Sequence, residues 1–203
     1  MGLREHLLIA ATFSDSYFHK AIDLGCGDGS LGSMLRRKVG YLIGIDSNPE
    51  KLEMAKERGV YDELILSDIL NYQLPVDADA VFMVESLEHI SKEAGYKILT
   101  SLNQIPTVVI TTPSKFCSSN GHISLWTAKE LQDFGYSTYL AKRDPRFSEI
   151  WMGKGIIAIK SSTLSYNIRN LLAQNDLTAD VNTILVIGAV AGMVTFMYYL
   201  AKN

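Results

Sequence analysis

The chain has 203 residues, a formal net charge of −3 at pH 7 and a mean hydropathy of +0.09. Acidic residues outnumber basic ones by 22 to 19, which argues against a protein that binds nucleic acid mainly through its phosphates. A hydrophobic fraction of 47% and a charged fraction of 20% exclude a disordered chain and fit a globular one. The cysteines, Cys26 and Cys117, are too few for a disulfide framework and suit a reducing compartment.

Short apolar runs alternate with amphipathic stretches up to residue 160. The apolar runs predict seven strands: Lys20–Leu24, Tyr41–Asp46, Glu63–Ser67, Ala78–Val84, Thr107–Thr111, Ser137–Ala141 and Gly155–Lys160. The amphipathic stretches predict helices at Leu3–Thr12, Leu31–Lys38, Pro49–Arg58, Ser91–Leu102 and Thr127–Phe134. This alternation predicts an α/β fold with a doubly wound, seven-stranded sheet. No helical pattern separates the last two strands, so we expect a hairpin with an antiparallel last strand.

Residues 181–200 form an apolar stretch without any charged residue. A helix of this length, at about 1.5 Å per residue, spans roughly 30 Å, the thickness of a bilayer's hydrocarbon core. This predicts a transmembrane helix, and the alternative is a helix buried in a core or in an oligomer. Gly188 and Gly192 have the spacing that lets two such helices approach closely, which allows a homodimer through this segment.

The chain therefore divides into a predicted domain over residues 1–160, a polar linker over 161–180 and the membrane span over 181–200. The N-terminus carries no signal-peptide pattern. We expect a single-pass C-terminal membrane anchor that holds the domain on the cytoplasmic side.

A glycine-rich loop follows the first predicted strand. Its alternating glycines are Gly25, Gly27 and Gly29. Glycines let the backbone turn tightly and approach a ligand closely, because no Cβ intervenes. Asp46 ends the second strand, where a carboxylate accepts hydrogen bonds from both hydroxyls of a ribose. Asp68 follows the third strand, where a carboxylate accepts from an adenine amino group while Ile69 supplies apolar contact.

Two classes of ligand fit this loop. The spacing Gly27-x-Gly29-x-x-Gly32 matches the dinucleotide-binding fingerprint, a weak signal when it stands alone. A dehydrogenase would also need a substrate domain, for which the chain leaves little room before residue 181.

The segment Ile22–Gly29 (IDLGCGDG), with an acidic residue after each of the next two strands, resembles the class I S-adenosylmethionine-dependent methyltransferases over residues 20–160. The resemblance implies a Rossmann-like fold in which Asp23 lies near the methionine moiety, Asp46 binds the ribose and Asp68 binds the adenine. The cofactor-binding residues that we expect are Asp23, Gly25, Cys26, Gly27, Gly29, Asp46, Ser47, Asp68, Ile69 and Glu85. For Cys26 we favour a small side chain that fills the turn over a reactive thiol.

Titratable residues follow the fourth and fifth predicted strands. Glu85, Glu88 and His89 stand at i, i+3 and i+4, a spacing that gathers side chains on one face of a helical turn. His122 comes after the fifth strand. Because the carboxyl ends of parallel strands border one crevice, these four side chains can converge beside the cofactor.

This E-x-x-E-H pattern with a distal histidine resembles two branches of the family, the ubiquinone-biosynthesis O-methyltransferases and the small-RNA 3′-terminal 2′-O-methyltransferases. The second resemblance implies a divalent metal held by Glu85, Glu88, His89 and His122. Carboxylate and imidazole ligands together suit Mn²⁺, Fe²⁺ or Zn²⁺ better than Mg²⁺. Two alternatives stay open: a metal-free site in which His89 or His122 is a general base or substrate contact, and a purely structural role. The catalytic residues that we expect are Glu85, His89 and His122.

The predicted function is S-adenosylmethionine-dependent O-methylation of a small or membrane-associated acceptor, such as a lipid or a quinone precursor. An anchored enzyme gains effective concentration towards acceptors in the bilayer. The alternatives are a membrane-tethered cofactor-binding or scaffold protein without transfer activity, and a methyltransferase that acts on protein or RNA. The acidic net charge argues against RNA.

Overall fold

The structure, a computed structural model, describes Ile9, Phe13 and residues 16–115, 121–142, 155–161 and 177–178. The strands within these residues are β1 Phe18–Leu24, β2 Val39–Asp46, β3 Glu63–Leu66, β4 Ala80–Val84, β5 Thr107–Pro113, β6 Ser137–Lys142, β7 Gly155–Ser161 and β8 Leu177–Thr178. The α-helices are α1 Ser30–Leu35, α2 Pro49–Arg58, α3 Lys92–Ser101 and α4 Ala128–Asp133. Short 3-10 turns cover Arg36–Lys38, Leu87–His89 and Leu102–Gln104.

The eight strands form one sheet in the order β3-β2-β1-β4-β5-β7-β6-β8. Strands β1 to β5 pair in parallel, and β7 runs antiparallel between β5 and β6. The prediction of a doubly wound sheet that ends in an antiparallel strand is confirmed. The prediction did not include β8, whose two residues pair with β6 inside the predicted linker. Two residues are too few to leave a periodic pattern in the sequence.

The sheet has an apolar core on each face. All five residues of β4 are buried, and alternate side chains enter opposite cores. Phe82 packs edge to face with Phe13 and Phe18 on one face, whereas Val81 and Met83 belong to the core on the other face. A central parallel strand with both faces covered is expected to be continuously apolar, as this one is.

Two helix starts confirm signals that the sequence carries. The side chain of Asn48, just before α2, accepts hydrogen bonds from the N–H groups of Glu50 and Lys51 at 2.9 and 3.1 Å. Thr127 and Glu130 form a reciprocal capping box at the start of α4. These caps fix where α2 follows β2 and where α4 follows the loop that carries His122.

Among the residues that the structure describes, no helix is both long and apolar enough to cross a membrane. The predicted span at residues 181–200, with Gly188 and Gly192, lies outside those residues, and so does the predicted helix Leu3–Thr12 apart from Ile9. The membrane span, the homodimer and the domain boundaries therefore stay predictions.

Candidate functional site

The strand order reverses beside β1, which pairs with β2 on one side and with β4 on the other. Doubly wound folds bind their ligands at such a switch point, at the carboxyl ends of the strands. The glycine loop begins there, and Gly25, Gly27 and Gly29 have φ values of +87°, +54° and +80°. These left-handed values explain why the loop needs glycine at each alternate position.

The loop touches the neighbouring strands on both sides. A Cβ on Gly25 would lie 2.1 Å from Oγ of Ser86, which follows β4. The N–H groups of Gly25 and Cys26 donate to the carbonyl of Ile45 in β2 at 2.8 and 2.9 Å. The glycine loop and the turn after β4 are therefore in direct contact, as the sequence led us to expect of two parts of one site.

The residues predicted to bind ribose and adenine lie after β2 and β3 at the same edge of the sheet. Asp46 is half-buried, and its Oδ2 accepts a hydrogen bond from the N–H of Gly27 at 2.8 Å. Asp68 is exposed, and its side chain closes a turn by accepting from the backbone N–H two residues later. Ser47 is exposed and Ile69 is half-buried. The sheet thus brings these four residues to the edge where the glycine loop lies.

An ion pair that the sequence analysis missed braces the loop. Arg58, the last residue of α2, donates through Nε to the carbonyl of Asp28 at 2.6 Å and through Nη2 to its Oδ2 at 2.8 Å. Asp28 also accepts from the N–H and the hydroxyl of Ser30 at 3.1 and 2.7 Å. Partial burial raises the pKa of Asp28, but the contacts with Ser30 and Arg58 outweigh burial and lower it overall. Asp28 therefore stays ionised and holds the loop against α2.

Cys26 is buried within the loop. Burial, followed by the nearby carboxylates of Asp23 and Asp46, raises the pKa of its thiol well above the ordinary value. A thiol that resists ionisation is a poor nucleophile. The structure thus supports the interpretation of Cys26 as a small side chain that fills the turn.

Asp23, in β1, is only 1% exposed, and its Oδ2 accepts a hydrogen bond from the hydroxyl of Tyr61 at 2.7 Å. Burial raises the pKa of Asp23 to about 7; the Tyr61 hydrogen bond opposes this rise, whereas the charges of Asp46 and Asp28 add to it. Tyr61 lies between α2 and β3, and its role could not be predicted because no local sequence pattern links it to β1.

Three of the four predicted metal ligands come together after β4 and β5. Glu88, His89 and His122 each present one ligand atom, and these atoms all lie within 4.8 Å of one another. The two imidazole rings stand edge to face with their centroids 5.1 Å apart. Glu88 and His122 are buried whereas His89 is exposed, so solvent reaches the cluster from the His89 side.

Glu88 is fully buried, and neither oxygen of its carboxyl group has a hydrogen-bond partner among the described residues. Burial first, and then the charge of Glu85, raises the pKa of Glu88 far above its ordinary value. The backbone of Glu88 and the nearby Thr112 hydroxyl oppose this rise in pKa, but neither forms a hydrogen bond with the carboxyl group. Burial and then the neighbouring His89 lower the pKa of His122. A buried carboxylate without partners is costly, and a bound proton or cation removes that cost.

Backbone hydrogen bonds hold the His122 loop against the turn after β4. The N–H groups of Ile123 and Ser124 donate to the carbonyl of Glu88 at 2.9 and 3.1 Å. Nδ1 of His89 lies 3.1 Å from the carbonyl of Gly121, within hydrogen-bond distance. The cluster is therefore fixed by main-chain contacts as well as by its side chains.

Along this loop, side chains alternate between the interior and the solvent. His122, Ser124 and Trp126 are buried, whereas Ile123 is 62% exposed and Leu125 is 36% exposed. Two apolar side chains thus face solvent immediately beside the cluster. These two residues were not predicted, although the alternating pattern of HISLW is a sequence signal for them.

The structure corrects the expected helical turn from Glu85 to His89. The 3-10 turn covers only Leu87–His89, and Glu85 precedes it with a φ of +52°, the only positive φ of a non-glycine residue among those described. The N–H of Glu85 donates to the carbonyl and the hydroxyl of Thr111 on β5, both at 3.1 Å, and the Thr111 hydroxyl donates to Glu85 Oε1 at 3.2 Å. These contacts keep Glu85 close to Glu88 but outside the cluster of three.

Comparison with known proteins agrees with this geometry. Residues 21–105 match the family described as "Methyltransferase domain". Over these residues, which include the glycine loop and the turn after β4, the chain is similar to that family. Over 110 residues it is 31% identical to the ubiquinone biosynthesis O-methyltransferase of Vibrio atlanticus (strain LGP32), an alignment that covers 51% of this chain and 41% of that protein.

Solved structures of methyltransferases share this fold. The methyltransferase domain of bacterial CtHen1-CN has a TM-score of 0.58 and 23% identity, covering 78% of this chain and 100% of that one. Magnesium protoporphyrin IX methyltransferase (ChlM) from Synechocystis PCC 6803, with bound SAH, has a TM-score of 0.60 and 14% identity, covering 78% and 83%. The aligned part of this chain spans only 31% to 41% of the length of the curated relatives that it matches.

Proposed function

We propose that the chain binds S-adenosylmethionine at the glycine loop and transfers its methyl group to a hydroxyl oxygen of a lipid or quinone precursor. The observation that carries this proposal is the cluster of Glu88, His89 and His122, which adjoins the loop through the contact between Ser86 and Gly25. Groups that can activate a hydroxyl thus stand beside the loop that would present the methyl donor.

The acidic residues of the first three strands would bind the cofactor. Asp23 would accept from the amino group of the methionine moiety, Asp46 from the ribose hydroxyls and Asp68 from the adenine amino group, with Ile69 against the adenine ring. Support comes from their positions, because β1, β2 and β3 are parallel neighbours whose carboxyl ends meet at one edge. Their order along the edge, Asp23, Asp46 and Asp68, is the order of the amino acid, the ribose and the base in the cofactor.

The proposed reaction is a direct displacement. The acceptor oxygen forms a bond to the methyl carbon while the carbon–sulfur bond breaks, and S-adenosylhomocysteine leaves. The proton of the acceptor hydroxyl passes to a base, for which we propose His122 or His89. The lowered pKa of His122 keeps its imidazole neutral near pH 7, the state in which it accepts a proton. Glu85 adjoins the same crevice and would face the methionine end of the cofactor.

In the metal-dependent alternative, Glu88, His89 and His122 would hold a divalent metal ion, with Glu85 close by, and the ion would take the place of the histidine base. Two observations make these residues suitable metal ligands. The buried carboxyl group of Glu88 lacks a hydrogen-bond partner among the described residues, and two imidazoles lie near it. A divalent ion lowers the pKa of a hydroxyl group bound to it. The protein's part is to fix the three ligands on one 3-10 turn and one loop, and to keep the exposed His89 side open for the acceptor.

An apolar acceptor is favoured by the surroundings of the cluster. Ile123 and Leu125 expose apolar surface beside His122. Curated proteins similar to this chain are named for ubiquinone biosynthesis. We also propose that residues 181–200 anchor the chain in a membrane with the domain on the cytoplasmic side, which would raise the local concentration of such acceptors.

The test is methyl transfer by the full chain in liposomes that contain a polyprenylated catechol, with S-adenosylmethionine labelled in its methyl group. We expect label in a methyl ether of the catechol, and a loss of more than about 100-fold in Glu88→Gln. Glu57→Gln, an exposed carboxylate on α2, is the matched control and should retain activity. Cofactor binding without any transfer would favour the scaffold alternative, and label in added RNA or protein would contradict the acceptor class.

A further inference from the structure

Three glycines from three different elements surround the ring of Tyr61. A Cβ on Gly32 of α1 would lie 2.4 Å from Cζ and from the hydroxyl oxygen of Tyr61. A Cβ on Gly44 of β2 would lie 2.9 Å from its Cδ1, and one on Gly29 of the loop 3.0 Å from its Cε2. Real Cβ atoms essentially never come as close as the distances at Gly32 and Gly44, and the distance at Gly29 is tight, so these glycines leave room for the Tyr61 ring. Gly32, the third glycine of the dinucleotide-like spacing, is thereby explained without a ligand.

The ring places its hydroxyl against the buried acid of β1. Tyr61 donates to Oδ2 of Asp23 at 2.7 Å across 38 positions of sequence. Burial first, and then the charge of Asp23, raises the pKa of the Tyr61 phenol far above its ordinary value. Tyr61 therefore remains a protonated donor at every physiological pH.

We propose that Tyr61 is a positioning residue of the cofactor site, whose hydroxyl orients the carboxylate of Asp23 towards the amino group of the methionine moiety. This inference rests on the proposed function, because it assumes that S-adenosylmethionine occupies the glycine loop. Tyr61 acts through Asp23 and does not itself touch the reacting atoms.

The hydrogen bond from Tyr61 affects the protonation of Asp23, because other negative charges lie near that carboxyl group. Asp46 from β2 and Asp28 from the loop both disfavour a negative charge on Asp23, and the neighbouring Cys26 thiol is neutral. Tyr61 supplies the hydrogen bond that opposes burial and these two carboxylates. Without it, Asp23 would hold its proton up to a higher pH and lose the charge that an ammonium group needs.

The experiment is calorimetric titration of the full chain in detergent with S-adenosylmethionine between pH 6 and pH 8.5. Tyr61→Phe keeps the ring and deletes the hydroxyl. We expect at least about a tenfold weaker affinity at pH 7, since a hydrogen bond to a charged group is lost. We also expect the pH below which binding weakens to rise by about one unit. In the Asp23→Asn background, Tyr61→Phe should cost no more than about twofold.

The matched control is Tyr41→Phe, since the hydroxyl of Tyr41 also meets a carboxylate, that of Glu63, but near the exposed amino end of β2. It should leave both affinity and pH profile unchanged. An unchanged affinity and pH profile in Tyr61→Phe would overturn the inference. If Tyr61→Phe were unfolded before the cofactor is added, the role of Tyr61 would be structural, which would also overturn it. Absence of binding in the unaltered chain would instead refute the proposed function.

Discussion

The glycine loop and the cluster of Glu88, His89 and His122 (the Glu88 cluster) are joined through the contact of Gly25 with Ser86, but they are stabilised in different ways. In the loop region, the carboxylates of Asp23, Asp28 and Asp46 all accept hydrogen bonds from the loop or from elements packed against it. In the cluster, the buried carboxyl group of Glu88 has no such partner among the described residues. The first region is thus organised before any ligand arrives, whereas the second is completed by a proton, a cation or a substrate. The two regions should therefore respond differently to substitution.

The largest effect on cofactor affinity is expected from Asp46→Ala, which removes both the proposed acceptor for the ribose hydroxyls and the partner of the Gly27 N–H. Hydrogen bonds to a charged group contribute about 1.5–3 kcal/mol each, so S-adenosylmethionine affinity should fall more than about 100-fold. Equilibrium binding measures this. Asp46→Asn keeps an acceptor for Gly27 and should bind better than the alanine variant. Undiminished affinity in Asp46→Ala would place the cofactor elsewhere.

In the cluster, Glu88→Gln should separate stability from transfer. The raised pKa keeps Glu88 protonated near pH 7, and the amide is a neutral group of the same shape, so the free energy of unfolding in a chelator should stay within about 1 kcal/mol. Affinity for S-adenosylmethionine should change less than about threefold, because Glu88 lies outside the loop. Thermal unfolding measures the change in stability, and calorimetric titration measures the change in affinity. A destabilisation of several kcal/mol would show that Glu88 has a structural role.

The loop region should also carry a pH dependence of stability. Because folding raises the pKa of Asp23 from 3.8 to about 7, the stability associated with its protonated form is lost as the pH rises through that window. Relative to Asp23→Asn, the unaltered chain should lose up to about 4 kcal/mol between pH 4 and pH 8. Denaturant unfolding of both proteins across this pH range measures the difference. If the free energies of unfolding of the two proteins changed with pH in parallel, the raised pKa of Asp23 would be contradicted.

The smallest effect is expected from Arg58→Ala. Its ion pair with Asp28 is partly exposed, with 39% and 31% of the two side chains accessible, so its loss should cost no more than about 1 kcal/mol. Cofactor affinity should fall only a few-fold, because the other hydrogen bonds of the loop remain. Arg37→Ala is the control, since it removes a nearby arginine that does not contact the loop. Equal affinities for the two variants would show that the brace is dispensable.

Much of the fold was predictable because its signals are local. The alternation of apolar strands and helices predicted the seven main strands. Patterns of this kind depend on neighbours within a few residues, which is what a single sequence displays. The glycine loop belongs to the same class, since its left-handed turns need glycine at fixed positions.

The site was less predictable because its contacts are distant in sequence. Tyr61 reaches Asp23 across 38 positions and Arg58 reaches Asp28 across 30. The left-handed conformation of Glu85 depends on its hydrogen bonds with Thr111 on another strand, so the helical spacing of its neighbours was misleading. The sequence nevertheless identified the three residues of the Glu88 cluster, because strand order alone brings the ends of β4 and β5 together.

The most direct test of the account is one calorimetric series of S-adenosylmethionine into the full chain in detergent, using the unaltered protein, Asp46→Ala and Glu88→Gln. We predict one binding site in the unaltered protein, loss of binding in Asp46→Ala and retained binding in Glu88→Gln. No binding to the folded, unaltered chain would contradict the central claim, and binding of a nicotinamide dinucleotide in its place would assign the glycine loop to the other class of ligand.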